Sequence, residues 1–219
     1  MQQQLQLLAF LEAFEKKNKE LNLVSYQSRH ELETKHLGDS LALLKIFDLG
    51  DGQRVLDLGA GGGFPGIPLA IMSPDAELVL MDSTGKKMQA VEDLAKEIGL
   101  SNLSTLTGRF EDLGHDLKYR ETFGLVTARA VASLPTLLEY AAPFVCVHGL
   151  FVAYKSADYQ EEFAASLNAQ KVLGLEFEGP IDYELSDDMG SRSLLVFRKT
   201  EPIDDAYPRK VGLPKKRPL

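Results

Sequence analysis

Leu5, Leu8, Leu11 and Phe14 recur every third residue near the start of the chain, with Leu7 and Phe10 beside them. That stripe predicts an amphipathic helix. Asn18 and the run Asn22-Leu23-Val24-Ser25 interrupt it. Leu37, Leu41 and Leu44, with Phe47 beyond, predict a second helix, and Gly50-Asp51-Gly52 breaks the chain after it. From Gln53 to about Lys199 the rhythm changes to short β-prone runs alternating with helical stretches, the pattern of βαβ units on a parallel sheet. Strands are predicted at Arg54–Leu58, Leu78–Asp82, Leu103–Thr107, Phe123–Ala128, Leu150–Tyr154, Lys171–Glu178 and Ser193–Lys199. Helices begin near Pro65, Thr84, Ser133 and Ala157, with Thr84 read as an N-cap and Gly99 as a stop. The polar run Asp182–Arg192 joins the last two strands without a helical pattern, so a β-hairpin is expected, its final strand antiparallel at or near an edge. Beyond Glu201, Pro202, Pro208, Pro214 and Pro218 leave no room for a continuous helix or a central strand.

These patterns divide the 219 residues into a helical extension (1–48), an α/β core (49–200) and a tail (201–219), one domain with appendages. No apolar run is long enough to span a membrane, and Met1-Gln2-Gln3-Gln4 does not open like a signal peptide. The single cysteine, Cys146, excludes an intrachain disulfide and a multi-cysteine zinc site, and the four histidines show no metal-ligand spacing. A cytoplasmic protein without a bound metal is expected, and a monomer is the simplest assembly. The net charge of −8 argues, taken alone, against a nucleic-acid partner. The average conceals a division. Residues 206–219 hold five basic side chains and no acid, while the other 205 residues hold 19 basic and 32 acidic ones, a charge of −13. Arg209, Lys210, Lys215, Lys216 and Arg217 therefore form a basic arm that can engage phosphates at one place.

The strongest local signal is Val55-Leu56-Asp57-Leu58-Gly59-Ala60-Gly61-Gly62-Gly63-Phe64-Pro65-Gly66. An apolar strand runs into a glycine cluster, and Pro65 sits where a helix should start. Asp82 closes the next strand 23 residues after Gly59, the place of an acid that holds ribose hydroxyls. An adenosine-containing cofactor at the carboxyl ends of the strands is expected. Pro65 removes an N–H that a pyrophosphate would use, and Asp57 would repel a pyrophosphate but can pair with an ammonium. Both features favour S-adenosyl-L-methionine over a dinucleotide.

The sequence resembles the small-subunit ribosomal RNA 7-methylguanosine methyltransferases, the glucose-inhibited-division-B family. The similarity rests on Asn22-Leu23, His36-Leu37-Gly38-Asp39-Ser40-Leu41, Asp57 to Ala70, Asp82-Ser83 with Lys86-Lys87, Gly108-Arg109-Phe110-Glu111, Ala128-Arg129-Ala130-Val131-Ala132 and the tail around Tyr207-Pro208-Arg209. One departure is Lys155-Ser156, where many members carry Lys-Gly. The resemblance implies a class I, Rossmann-like, seven-stranded methyltransferase fold, S-adenosyl-L-methionine as cofactor, and guanine N7 of 16S ribosomal RNA, free or in the small ribosomal subunit, as target. It implies that Asp57, Gly59, Gly61, Gly63 and Phe64 belong to the cofactor site. Ser83 and Thr84 would join Asp82 at the ribose, Phe110 and Glu111 would flank the adenine, and Arg129 would face the transfer region.

Guanine N7 is a lone-pair nucleophile without a proton, so no general base is required. Donors to guanine O6 would orient the base, and Arg129 and Lys155 are the candidates. Arg129 has a plainer alternative, pairing a nearby carboxylate. Lys86 and Lys87 are either a solvated helix face or RNA phosphate contacts. His36, Asp39 and Ser40 sit too close in sequence for a nucleophilic triad and read as a helix fixed over the cofactor mouth. Two other activities remain open to the sequence: methyl transfer to a small molecule or protein, and nucleotide binding without catalysis.

Overall fold

The computed structural model describes residues 1–219. The extension contains α1 (Gln2–Leu21), then a continuous helical run: α2 (Arg29–Glu31), a π-helical stretch Leu32–Gly38, α3 (Asp39–Leu41) and a 3-10 turn Ala42–Lys45. The core runs β1 (Arg54–Leu58), α4 (Gly66–Met72), β2 (Glu77–Asp82), α5 (Gly85–Glu97), β3 (Leu103–Thr107), α6 (Phe110–Leu113), β4 (Phe123–Arg129), α7 (Leu134–Ala141), β5 (Val145–Ser156), α8 (Gln160–Ala165), α9 (Leu167–Val172), β6 (Leu175–Glu184) and β7 (Ser191–Lys199). The tail carries α10 (Leu213–Lys216).

The seven strands form one sheet in the order β3-β2-β1-β4-β5-β7-β6. β1 pairs in parallel with β2 on one side and β4 on the other, and β7 is antiparallel to both β5 and β6. The hairpin is therefore present, with β7 one place in from the edge and β6 forming it. The chain order reverses direction at β1, which opens a crevice at the carboxyl ends of β1 and β4. Side chains alternate between the two faces with period two. Val55, Leu78, Leu80, Leu125 and Val152 pack with α4, α5 and the extension, whereas Leu56, Leu58, Val79, Met81 and Val126 pack with α7 and α9. No helix is long and apolar enough to cross a membrane.

The extension shares the core of the first face. Phe10, Leu11 and Phe14 are buried, each contributing about 2 kcal/mol by removing apolar surface from water. The predicted stripe is only half right, because Leu5 and Leu8 are exposed. The buried face follows the i, i+3, i+4, i+7 spacing of Leu7, Phe10, Leu11 and Phe14 rather than the strict three-residue repeat. Asn18 does not interrupt the helix. Its side chain bonds both the carbonyl and the amide of Val24, and the helix ends at Asn22 in left-handed geometry. Two further boundaries move. Lys171 and Val172 close α9 rather than opening a strand, because Gly174 at φ 63° ends that helix and β6 starts at Leu175. The tail contains the helical turn α10 despite its prolines, since Pro214 occupies the first turn, where its missing N–H is no loss.

Candidate active site

A cleft of about 810 Å³ opens at the carboxyl ends of β1, β2 and β4, where the glycine loop leaves β1. Gly59, at φ 78°, makes the turn, and a Cβ there would stand 2.5 Å from a Val131 methyl. Gly61, at φ 54°, borders the cleft with no atom but a loop carbonyl near its missing Cβ. The Asp82 carboxylate ties the loop to the end of β2. Its Oδ2 accepts the Gly61 amide at 3.2 Å and its Oδ1 the Thr84 amide at 2.8 Å. Phe64 and Phe110 supply apolar walls. The Phe64 ring is itself held by Phe10 and Phe14 of α1, with centroids 5.2 and 5.0 Å away.

The extension covers one side of this cleft with Leu23, Val24, Ser25, Lys35, His36 and Asp39. Arg129, at the end of β4, fastens it. Its Nη1 donates to Asp39 Oδ2 at 2.9 Å and to the His36 carbonyl at 3.2 Å, at the carboxyl side of the π-helical stretch. Asp39 is buried and also accepts the Tyr183 hydroxyl from β6, and the Tyr154 hydroxyl donates to the Ser40 carbonyl at 3.0 Å. Burial, reinforced by the Arg129 charge, holds the His36 imidazole below its usual range. The cleft as a whole is bordered by five basic side chains (Lys35, Lys87, Arg129, Lys155 and Arg192) and three acidic ones (Glu31, Asp39 and Asp82).

Residues 3–178 match the family model described as GidB, rRNA small subunit methyltransferase G. The chain belongs to this family. Among its relatives, ribosomal RNA small subunit methyltransferase G of Desulfitobacterium hafniense (strain Y51) is 43% identical over 202 residues, 92% of this chain and 83% of the relative. The Brevibacillus brevis (strain 47) protein of the same name is 39% identical over 92% of this chain and 85% of its own. Solved structures support the fold alone. Geranyl diphosphate methyltransferase in complex with GPP and sinefungin superposes with a TM-score of 0.55 at 11% identity, over 74% of this chain and 78% of that one. The [4+2]-cyclase SpnF does so with a TM-score of 0.58 at 14% identity, over 77% and 81%, so the fold by itself does not fix the reaction.

In this member of the methyltransferase G family, Gly59, Gly61, Phe64, Asp82, Ser83, Phe110, Arg129, Lys155 and Lys87 of the sequence-derived residues border the cleft. Others stand elsewhere. Asp57 is buried beneath the glycine loop rather than facing a ligand ammonium. Its Oδ2 accepts the Gly66 amide at the start of α4 at 2.9 Å, and its Oδ1 has no partner. Desolvation raises its pKa to about 7, opposed by the Gly66 N–H and the Arg129 charge. Gly63 lies against Ile67, with no room for a Cβ. Thr84 holds the N-cap position of α5 through its backbone, without a side-chain capping bond. Glu111 is buried, does not border the cleft and accepts the Gly212 amide of the tail at 2.8 Å. Lys86 is exposed beside Lys87. Lys155 borders the cleft but donates to Glu162 at 2.6 Å and to the Ala132 carbonyl at 3.2 Å. Arg209 is taken up by Glu139, its Nε donating at 2.8 Å, while Lys210, Lys215, Lys216 and Arg217 are exposed. Sequence reasoning missed Lys35, Tyr154 and Arg192 as cleft residues. Arg192 opens the antiparallel strand β7 at the carboxyl edge of the sheet, opposite Ser156, so the hairpin expectation carried a signal for it.

Proposed function

We propose that the cleft binds S-adenosyl-L-methionine and directs its methyl group to guanine N7 of 16S ribosomal RNA. The observation that carries the cofactor reading is the Asp82 carboxylate, which stands at the cleft edge between the Gly61 and Thr84 amides, at the strand end where a ribose diol is recognised. The residues fit such a group. The open space at Gly61 admits a close approach to the loop, and Phe64 and Phe110 offer apolar faces. Asp82 and Ser83 would hold the ribose, and the Gly59–Gly61 loop the methionine portion. When bound, the cofactor supplies an electrophilic methyl group on a cationic sulfur.

The rest falls to this chain's side chains. Because guanine N7 has a lone pair and no proton, no side chain has to take one up before the bond forms. The task is orientation, which is worth on the order of 7–11 kcal/mol in well-aligned cases. Arg129 is suited to it. Its Nη1 is saturated by Asp39 and His36 from behind, and its Nε has no protein partner, which leaves donors for guanine O6 while N7 stays free. The excess of basic over acidic side chains around the cleft of a chain with net charge −8 favours a phosphodiester substrate over a neutral small molecule or a protein.

The test is transfer of a radiolabelled methyl group to small-subunit RNA from a strain lacking this modification, followed by mass mapping. A single 7-methylguanosine in 16S RNA is the expected product. A label on another atom or base, or on protein, overturns the reading.

A further inference from the structure

The basic tail is a docked strap, and not a loose arm. Pro208 and Pro214 are buried. The Arg120 Nη1 donates to the Tyr207 carbonyl at 2.8 Å, and His115 Nε2 lies 2.8 Å from the Pro208 carbonyl. The Thr136 hydroxyl of α7 donates to the Pro214 carbonyl at 3.2 Å, and the Gly212 amide donates to Glu111. Arg209 forms the strongest anchor, since its backbone amide and its guanidinium both bond Glu139, which is fully buried in α7. Two of the elements that hold the strap adjoin residues of the cleft. Glu111 follows Phe110 in α6, and α7 follows Ala130 and Val131.

Docking uses one of the five tail cations and leaves four. Lys210, Lys215, Lys216 and Arg217 are exposed, and none has a carboxylate within 4 Å, whereas ten of the 19 basic side chains of the body do. We propose that these four side chains form a preorganised docking surface for the phosphodiester backbone of the substrate RNA, held at a fixed position beside the cleft by the Arg209–Glu139 anchor. The inference rests on the RNA reading given under the proposed function. Fixing the backbone that carries the cations removes most of the ordering entropy that a flexible basic arm would lose on binding. Four cations within eight residues, with no acid among them, also make this flank of an otherwise acidic body the favourable side for RNA to approach.

The test uses the full chain and a variant in which the four cations are neutralised (K210Q, K215Q, K216Q, R217Q). Each released counterion contributes roughly 0.7 to the slope of log affinity against log salt for single strands, so the variant should lose about 3 from that slope with polyuridylate as probe. At 0.1 M salt this is a loss of affinity on the order of hundreds-fold. Melting temperature and S-adenosyl-L-methionine affinity should not change. The same slope in both proteins overturns the docking surface, as does equal binding of polyglutamate and its loss in the variant, which would assign the surface to an anion other than RNA. The proposed function fails separately: a wild-type chain that binds polyuridylate with the steep slope, but methylates no 16S RNA, overturns that reading and keeps the docking surface.

Discussion

Arg129 Nη1 stands 2.9 Å from Asp39 Oδ2, and this ion pair joins the end of the fourth strand to the helical extension. Both side chains are largely shielded from water, with 14% and 7% of their surface exposed. Removing one partner of such a pair leaves the other charge without compensation. Asp39→Ala should lower stability by about 3 kcal/mol and reduce methyl transfer by loosening the cleft wall. Tyr183→Phe, which removes only the second donor to Asp39, should lower it by about 1 kcal/mol. Urea unfolding of the three proteins checks both values. An Asp39→Ala midpoint equal to wild type would show that the extension is held by its apolar contacts alone.

Asp57 makes stability depend on pH in a direction unusual for a carboxylate. In the folded chain its proton stays on up to about pH 7, against an ordinary value of 3.8. Between these values the unfolded chain binds fewer protons than the folded one, so this group's contribution falls as pH rises. Asp57→Asn keeps an acceptor for the Gly66 amide and cannot ionise. Its stability relative to wild type should therefore climb between pH 4 and pH 8, by about 4 kcal/mol for a shift of about three pKa units. Parallel stability curves for the two proteins would refute the assignment.

Two of the three glycines of the loop that have positive φ, Gly59 and Gly61, should respond differently to alanine. Gly61→Ala meets no obstruction in the fold, so it should cost only about 1–2 kcal/mol of backbone strain. Its methyl would occupy the cleft, and S-adenosyl-L-methionine affinity should drop at least tenfold by calorimetry. Gly59→Ala collides with Val131 at 2.5 Å and should damage folding and binding together. Full cofactor affinity in Gly61→Ala would move the binding site away from this loop.

Arg209 should behave as a folding residue. Arg209→Ala strands the Glu139 carboxylate, which is fully buried, and should destabilise the chain by about 3 kcal/mol or more. Adding Glu139→Gln should recover part of that loss. Truncation at residue 206 should therefore lower the melting temperature as well as RNA methylation, so truncation alone does not report on RNA contacts. A truncated chain with wild-type melting temperature would contradict the anchor.

What the sequence disclosed was local. The run from Val55 to Gly66 carries strand, turn and helix start within twelve neighbouring residues, and Asp82 closes the next β–α unit. Both were legible because spacing along one βαβ unit fixes their positions in space. The hairpin of β6 and β7 was legible because the polar run between them carries no helical pattern. The rest depended on partners far apart in the chain. Asp39 and Tyr183 are 144 residues apart, and Arg209 and Glu139 are 70 apart. No periodicity marks such pairs, so Arg209 read as one more tail cation, and the bond from the Gly212 amide to Glu111 left no trace in the pattern. The choice between the Leu5–Leu8 stripe and the Phe10–Leu11–Phe14 face was also undecided locally. Both fit helical spacing, and packing against the Phe64 ring, α4 and α5, all distant in the chain, selects one.

The strap also sets a timetable for synthesis. Glu139 leaves the ribosome 70 residues ahead of Arg209, an interval of roughly 4–14 s at 5–20 residues per second. Throughout it the only cation that can follow this carboxylate into the interior has not been made. The flank of the sheet that α7 covers therefore reaches its final, charge-compensated form only once the tail has been made.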